Sequence, residues 1–380
     1  MDRQINPRAR PGLRLKLLGS RLLPVLLAIT LGPGVGTAVA GDAASPAIGD
    51  TTVFANAPAP GHLFGIAVDK QRIYVSTSAG DFFADPANGG HLNSAGERVF
   101  AYDNEGNLVS TTSIATMPNS NMGLFGLALD GNHGTNHQLY IADMNGRILR
   151  LAIGQIGQKN ATPQLFSQPP PEFAGGWMVT MWNDLVFDKA GNLFMTDDKP
   201  RLWRVTPDGQ VSVWFTDPRI TGFFGFAGGP LGARIDPTGK YLYFSITISA
   251  AFPGEAAIYR LPLVDHPSAA DLELVHRFPV VPGEQLPQAS GIAFAKSGNL
   301  YVDLIGTNQI AVLDPSGNEI RRISSPLFDS PWGLAFTGES LLVTNADIQP
   351  VESPDGWQVL KVFVGEEGLA LLNRPTTSDD

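Results

Sequence analysis

One short unit recurs six times along the chain, and it restricts the fold more than any other feature. In the clearest copy, between Met181 and Val205, an apolar run (Leu185 to Asp188) stops at Lys189-Ala190-Gly191-Asn192. A second run (Leu193 to Thr196) ends at Asp197, Asp198 and Pro200, and a third (Leu202 to Val205) alternates apolar and basic residues. Runs this short are strands, and the Gly, Asn, Asp and Pro between them supply the turns. The other copies carry Gly65-Ile66-Ala67-Val68-Asp69, Gly126-Leu127-Ala128-Leu129-Asp130, Ala233-Arg234-Ile235-Asp236, Gly291-Ile292-Ala293-Phe294 and Gly333-Leu334-Ala335-Phe336. Each copy finds four candidate strands within its own stretch, the sixth taking Leu369 to Leu372 as its last. Six such units, spaced by 42 to 61 residues, predict an all-β chain folded as a six-bladed β-propeller with four antiparallel strands per blade. A β-sandwich has no reason to repeat six times, and a doubly wound fold needs amphipathic helices that this sequence lacks. Residues 61–372 are expected to form the propeller and 373–380 a tail. A further run at Thr52 to Ala55, within the Ala- and Pro-rich leader 41–60, either closes the ring or lies outside it.

Residues 1–40 break from this pattern. Six basic residues precede the apolar run Leu22 to Leu31, and Ala38-Val39-Ala40 follows. A basic region, a short apolar core and a small-x-small site describe a cleavable secretory signal, with the mature chain starting at Gly41 and a secreted or periplasmic destination. The apolar run is interrupted by Pro24, Gly32 and Pro33 and falls short of the ~20 residues that span a bilayer. The leader holds six of the 26 basic residues and one of the 36 acidic ones, so the rest is more acidic than the full chain's net −10. Such a surface repels nucleic acid and anionic lipid. The expected partner is a small molecule, met by a monomer that is free of the membrane once the signal is cleaved. Without cysteine there is no disulfide and no thiolate chemistry, but a chain this long can rely on its core.

Propeller geometry locates a candidate site. The first strand of a blade lies nearest the channel and the second runs antiparallel beside it. The residue just before each first strand is therefore expected to ring the channel mouth: Phe64, Phe125, Asn183, Leu231, Ser290 and Trp332. The ends of the second strands share that face: Thr77, Asp143, Asp197, Ile246, Leu304 and Asn345, with Asp303 and Asp347 close by.

The unit G-I-A-x-D-x-x-G-N-L-Y-V-x-D, six times over, resembles the senescence marker protein/gluconolactonase/luciferin-regenerating-enzyme family. Paraoxonases, diisopropylfluorophosphatase and strictosidine synthase-like proteins belong to the same superfamily. The most informative match is Asn183-Asp184 followed by Phe187-Asp188 and Gly191-Asn192, where family lactonases carry an Asn-Asp pair whose Asn is a calcium ligand. The resemblance implies a site of one Glu, two Asn and one Asp around Ca²⁺, an ion that takes six to eight hard oxygen ligands. Carried over position by position, only Asn183 is matched. The Glu falls at Phe64, the second Asn at Leu231 and the Asp at Ser290.

Two functions follow. One is an exported hydrolase of lactones or related esters, with Asn183 as metal ligand, Asp184 and Asp303 as catalytic carboxylates, and Phe64, Phe125, Trp182, Leu231, Ser290 and Trp332 as substrate-binding residues. The other is a metal-free propeller whose aromatic mouth binds an apolar or aromatic small molecule, or a protein. Structural roles compete for the same residues. Asn183-Asp184 suits a turn into the strand, and Asp143 and Asp197 suit strand ends where Asp bonds its own backbone. His133 and His137, in Gly-Asn-His-Gly-Thr-Asn-His, are either solvated, or a general base or metal ligands. Gly175-Gly176-Trp177 and Gly222-Phe223-Phe224-Gly225-Phe226 fall in loops between blades, where core packing is the weaker explanation.

Overall fold

The Asp-x-x-Gly-Asn turn explains itself atom by atom. Asp188 Oδ1 accepts from the backbone N–H of Ala190 at 2.9 Å and of Asn192 at 2.8 Å, while Oδ2 accepts from the Asn192 amide at 2.8 Å. Gly191 between them has φ +82°, the left-handed region that costs Gly nothing. Asp103 and Asp314 gather Asn107 and Asn318 in the same way in other hairpins.

The computed structural model describes residues 45–58, 62–77, 97–114, 123–130, 137–144, 146–158, 161–175, 179–224, 228–346 and 357–369. Within them the hairpins assemble into six four-stranded antiparallel sheets, a six-bladed β-propeller. The inner strands are Leu63–Val68, Leu124–Leu129, Trp182–Phe187, Pro230–Ile235, Ala289–Phe294 and Pro331–Thr337. Blades one to five are built from consecutive strands. The sixth differs from the local reading: its outermost strand is Thr51–Asn56, paired antiparallel with Gln358–Phe363 from Thr51↔Val362 to Asn56↔Gln358. Leu369 is not part of that blade. After Phe363 the chain crosses to the fifth blade, where Gly368 bridges Ala295 and Leu369 N–H bonds Phe294 O; residues 370–372 lie outside the described residues. The strand near Thr52 thus closes the ring.

Burial follows the blade faces. Six apolar clusters each straddle one boundary between neighbouring blades. One of them sets Phe194 and Trp214 of the third blade against Leu242 and Phe244 of the fourth. Another seals the closure, with Ala55 and Val359 against Ile66 and Phe100. No blade buries both faces without its neighbours.

At the axis the inner strands nearly touch. Their third residue is Gly65, Gly126, Asp184, Gly232, Gly291 and Gly333 in turn. A Cβ at Gly65, Gly232, Gly291 or Gly333 would stand 2.1 to 2.4 Å from the carbonyl oxygen of the next blade's second residue. Hydroxyls bridge the same gap. Ser76, Thr196, Ser245 and Thr344, each penultimate in a second strand, accept the N–H of residues 65, 184, 232 and 333 at 2.8 to 3.0 Å. Each then donates to the neighbouring blade's carbonyl at 2.5 to 2.7 Å.

Candidate functional site: the central channel

The six residues expected at the channel mouth all fall on the second position of an inner strand. At that position every inner strand shifts register against its second strand. The mouth they form is filled by their own side chains. The Phe64 and Phe125 rings stack with centroids 4.3 Å apart, and Trp332 meets them edge-on at 4.7 and 5.6 Å. Met144, Met181 and Ala346 pack on this group. About 30 Å³ of space is left among them, Asn183 and Leu231. The rings spend their faces on one another.

The remaining expected site residues scatter around this plug. Trp182 is fully buried in the boundary between the second and third blades, edge-on to Trp203. Ser290 is buried, and its hydroxyl donates to Trp332 O at 3.0 Å. Asp303 is also fully buried, penultimate in its second strand where four other blades carry the bridging hydroxyl. Neither of its oxygens has a hydrogen-bond partner, and burial pushes its carboxyl well above the usual carboxylate range. Asp143 and Asp197 close their strands on an arginine four residues ahead. Asp197 also takes the Met181 N–H and the Trp203 indole. His137 Nδ1 lies 2.5 Å from Asp130 Oδ1, on the turn side of its blade. His133, Trp177, Phe226 and Asp347 lie outside the described residues.

The calcium ring implied by the resemblance does not fit these atoms. Asn183 Nδ2 donates to Pro230 O at 3.0 Å, and its Oδ1 is buried without a partner. The positions that would supply further ligands carry the apolar side chains of Phe64 and Leu231, whereas Ca²⁺ takes six to eight oxygens. The other oxygens nearby are directed elsewhere: the Ser290 hydroxyl donates to Trp332 O, the Asn345 amide bonds Asp329 and Leu327, and Asp303 is sealed inside the blade. Among the described residues no group of three His, Cys, Asp or Glu is arranged to hold a metal.

The usable space lies at the other end of the inner strands. A cavity of about 800 Å³ opens there, walled by the C-terminal residues of the inner strands and rimmed by Asp69, Lys70, Asn104 and Thr337. The fifth residues of the inner strands all line it: Ala67, Ala128, Val186, Arg234, Ala293 and Ala335. Residues two apart on a strand share a face, so this ring sits directly beyond the glycines of the third position. Small side chains widen the channel into a chamber.

Two charged residues break the Gly-x-Ala pattern, and they break it together. Asp184 replaces Gly in the third blade and Arg234 replaces Ala in the fourth. Arg234 Nη1 lies 2.6 Å from Asp184 Oδ2, with the side chains 24% and 14% exposed. Asp184 is held in place by the Ala233 N–H at 3.0 Å and the Leu185 N–H at 2.9 Å. Arg234 lines both the chamber and the small space beneath the aromatic plug. The pair is the floor between them. Reading the mouth column alone overlooks Arg234 and the chamber. The signal was in the repeat, as the only charged residues at two otherwise small-residue positions.

A family model described as the SMP-30/Gluconolactonase/LRE-like region matches residues 95–347. No curated protein matches the sequence. Among solved structures, a calcium-binding protein, regucalcin, from Agrobacterium tumefaciens is 16% identical, covering 86% of this chain and 99% of its own, with a TM-score of 0.58. A luciferin-regenerating enzyme is 15% identical over 83% and 95%, with a TM-score of 0.55. A putative gluconolactonase is 18% identical over 86% and 95%, also at 0.55. At these identities the likeness to the three structures is one of fold.

Proposed function

The chain belongs to the SMP-30/gluconolactonase/LRE-like family, and from that premise we propose that it is a metal-independent member that binds an apolar small molecule in its channel chamber. The observation that carries this reading is the chamber itself. Its volume, about 800 Å³, lies in the range of small-molecule sites, which are mostly apolar with a few placed polar groups. The replacement of metal-ligand positions by Phe64 and Leu231 supports the same reading. Saturable binding of 2-ethylnaphthalene to the purified protein, unchanged by EDTA, is the expected result. Ala128→Leu, which adds three carbons to the chamber wall, should weaken it while leaving the melting temperature in place. Binding that disappears with EDTA, or that Ala128→Leu leaves unchanged, overturns the reading.

Export is part of the proposal. The leader 1–40 supports delivery outside the cytoplasm, where a monomer meets a small-molecule ligand and no nucleic acid. N-terminal sequencing of exported material should begin at Gly41 or within a few residues of it.

Family membership supports a second reading, hydrolysis of a lactone or related ester. Asp184 is the expected catalytic carboxylate that reaches the channel, at the chamber floor. Turnover of δ-valerolactone or 4-nitrophenyl acetate that Asp184→Asn removes would favour it, and calorimetric titration with Ca²⁺ would show whether an ion takes part.

A further inference from the structure

The paired exceptions at the chamber floor point to what the ligand carries. We propose that Arg234 is the polar anchor of the chamber and that it selects an apolar ligand bearing a neutral carbonyl over the same skeleton bearing a carboxylate. The inference rests on the reading of the chamber as a small-molecule site.

Donor accounting comes first. A guanidinium has five N–H groups in a fixed fork. Nη1 is committed to Asp184 Oδ2 and to Ala233 O, both at 2.6 Å, and Nη2 reaches Leu334 O at 3.5 Å, the far limit of a hydrogen bond. Nε–H and one N–H of Nη2 remain, on a side chain that lines the chamber. The other five residues of its ring are Ala or Val and offer no side-chain polar atom. An acceptor on a buried ligand therefore meets Arg234 at the floor.

Charge decides which acceptor. Asp184 already neutralises Arg234 at 2.6 Å, and two backbone N–H groups hold that carboxylate where it is. A ligand carboxylate would make a buried triad of two anions and one cation, leaving one negative charge without compensation in an apolar chamber, which is costly. Asp69 at the rim adds to the repulsion, and Lys70 beside it offsets only that. A ketone, ester or amide carbonyl accepts the spare N–H groups without that charge. A hydrogen bond from a charged donor strengthens binding by about tenfold or more.

Three probes of one shape test this: 2-ethylnaphthalene, 2-acetonaphthone and 2-naphthoate, titrated calorimetrically into the full-length protein. The variant is the double substitution Asp184→Gly with Arg234→Ala. It restores at both positions the residues that most other blades already carry, and so keeps the strand pattern. Wild-type protein should bind 2-acetonaphthone about tenfold or more tighter than 2-ethylnaphthalene, with 2-naphthoate the weakest of the three. In the double variant the ketone and the hydrocarbon should bind within about twofold of each other, the charged donor being gone. Arg234→Lys keeps the charge but not the fork, and should lose most of the preference as well. Should the double variant fail to fold, that single variant decides. If 2-naphthoate binds tightest, the neutral-carbonyl claim is wrong. If all three bind equally, or the ketone preference persists in the variants, Arg234 is not the anchor although the chamber still binds. If none of them binds, the chamber reading falls, and this inference with it.

Discussion

In four blades a Ser or Thr hydroxyl accepts an inner-strand N–H and passes a hydrogen bond to the next blade. In the fifth blade the same place holds Asp303, fully buried and with neither oxygen partnered. A buried polar group left unsatisfied costs about 1–3 kcal/mol, so Asp303→Ser, which removes the unpartnered carboxyl and puts there the hydroxyl that four other blades carry, should stabilise the protein by about that amount. The gain should also depend on pH. Unfolded, Asp303 titrates near the ordinary ~4; folded, burial holds its proton to much higher pH. Between those values the folded state binds more protons, so the wild type loses stability as pH rises through that interval. The advantage of Asp303→Ser in urea unfolding should therefore be smallest near pH 4 and larger at pH 8. Asp198, pushed up to about 7 by its own burial, slopes both proteins the same way and cancels from the difference. An advantage that shrinks as pH rises would rule this account out.

The inner strand is the element on which the fold turns, and its third residue sets how closely blades approach. Gly291→Ala would place a methyl 2.4 Å from Trp332 O and 3.0 Å from Gly333 Cα. Both are backbone atoms that cannot rotate away, so the strands must part. Overpacking of this kind costs about 1–3 kcal/mol, read as a lower midpoint in thermal unfolding. Gly283, with open space around it but φ +91°, tests the contrast: alanine there is strained by backbone conformation rather than by a neighbour. The same element shows what was legible in the sequence. Six inner strands, their first four-residue runs and the column Phe64, Phe125, Asn183, Leu231, Ser290 and Trp332 follow from alternation and turn chemistry, both local. The distance between inner strands across the axis is not local. It depends on the glycine contacts between blades, and it decides that Phe64, Phe125 and Trp332 collapse on one another instead of ringing an open mouth. Asn183-Asp184 drew attention for its likeness to a metal site. In the structure Asp184 answers to Arg234, fifty residues away, a pairing that only the closed ring brings about.

At the scale of the whole molecule, stability is circular, because every large apolar cluster belongs to two blades. The ring is closed by one strand from the start of the chain, Thr51–Asn56, laid on Gln358–Phe363. Removing it strips Phe54 and Ala55 from the cluster that joins the sixth blade to the first. It also leaves Gln358–Phe363 as an unpaired edge, open to association with other chains. A chain beginning at Pro58 should therefore forfeit a large part of the ~5–15 kcal/mol that domains of this kind possess, and should melt broadly or aggregate where the longer chain shows one sharp transition. The decisive arm supplies the strand separately. A synthetic peptide of residues 46–58 should restore a single transition, since it returns the paired register from Thr51↔Val362 to Asn56↔Gln358. The same peptide with Val53 and Ala55 changed to Pro cannot donate the N–H groups that the pairing needs and should restore nothing. A truncated chain that melts at the original midpoint without peptide would show that the first and sixth blades hold together without this strand, and that the ring is sealed by side-chain packing between their faces alone.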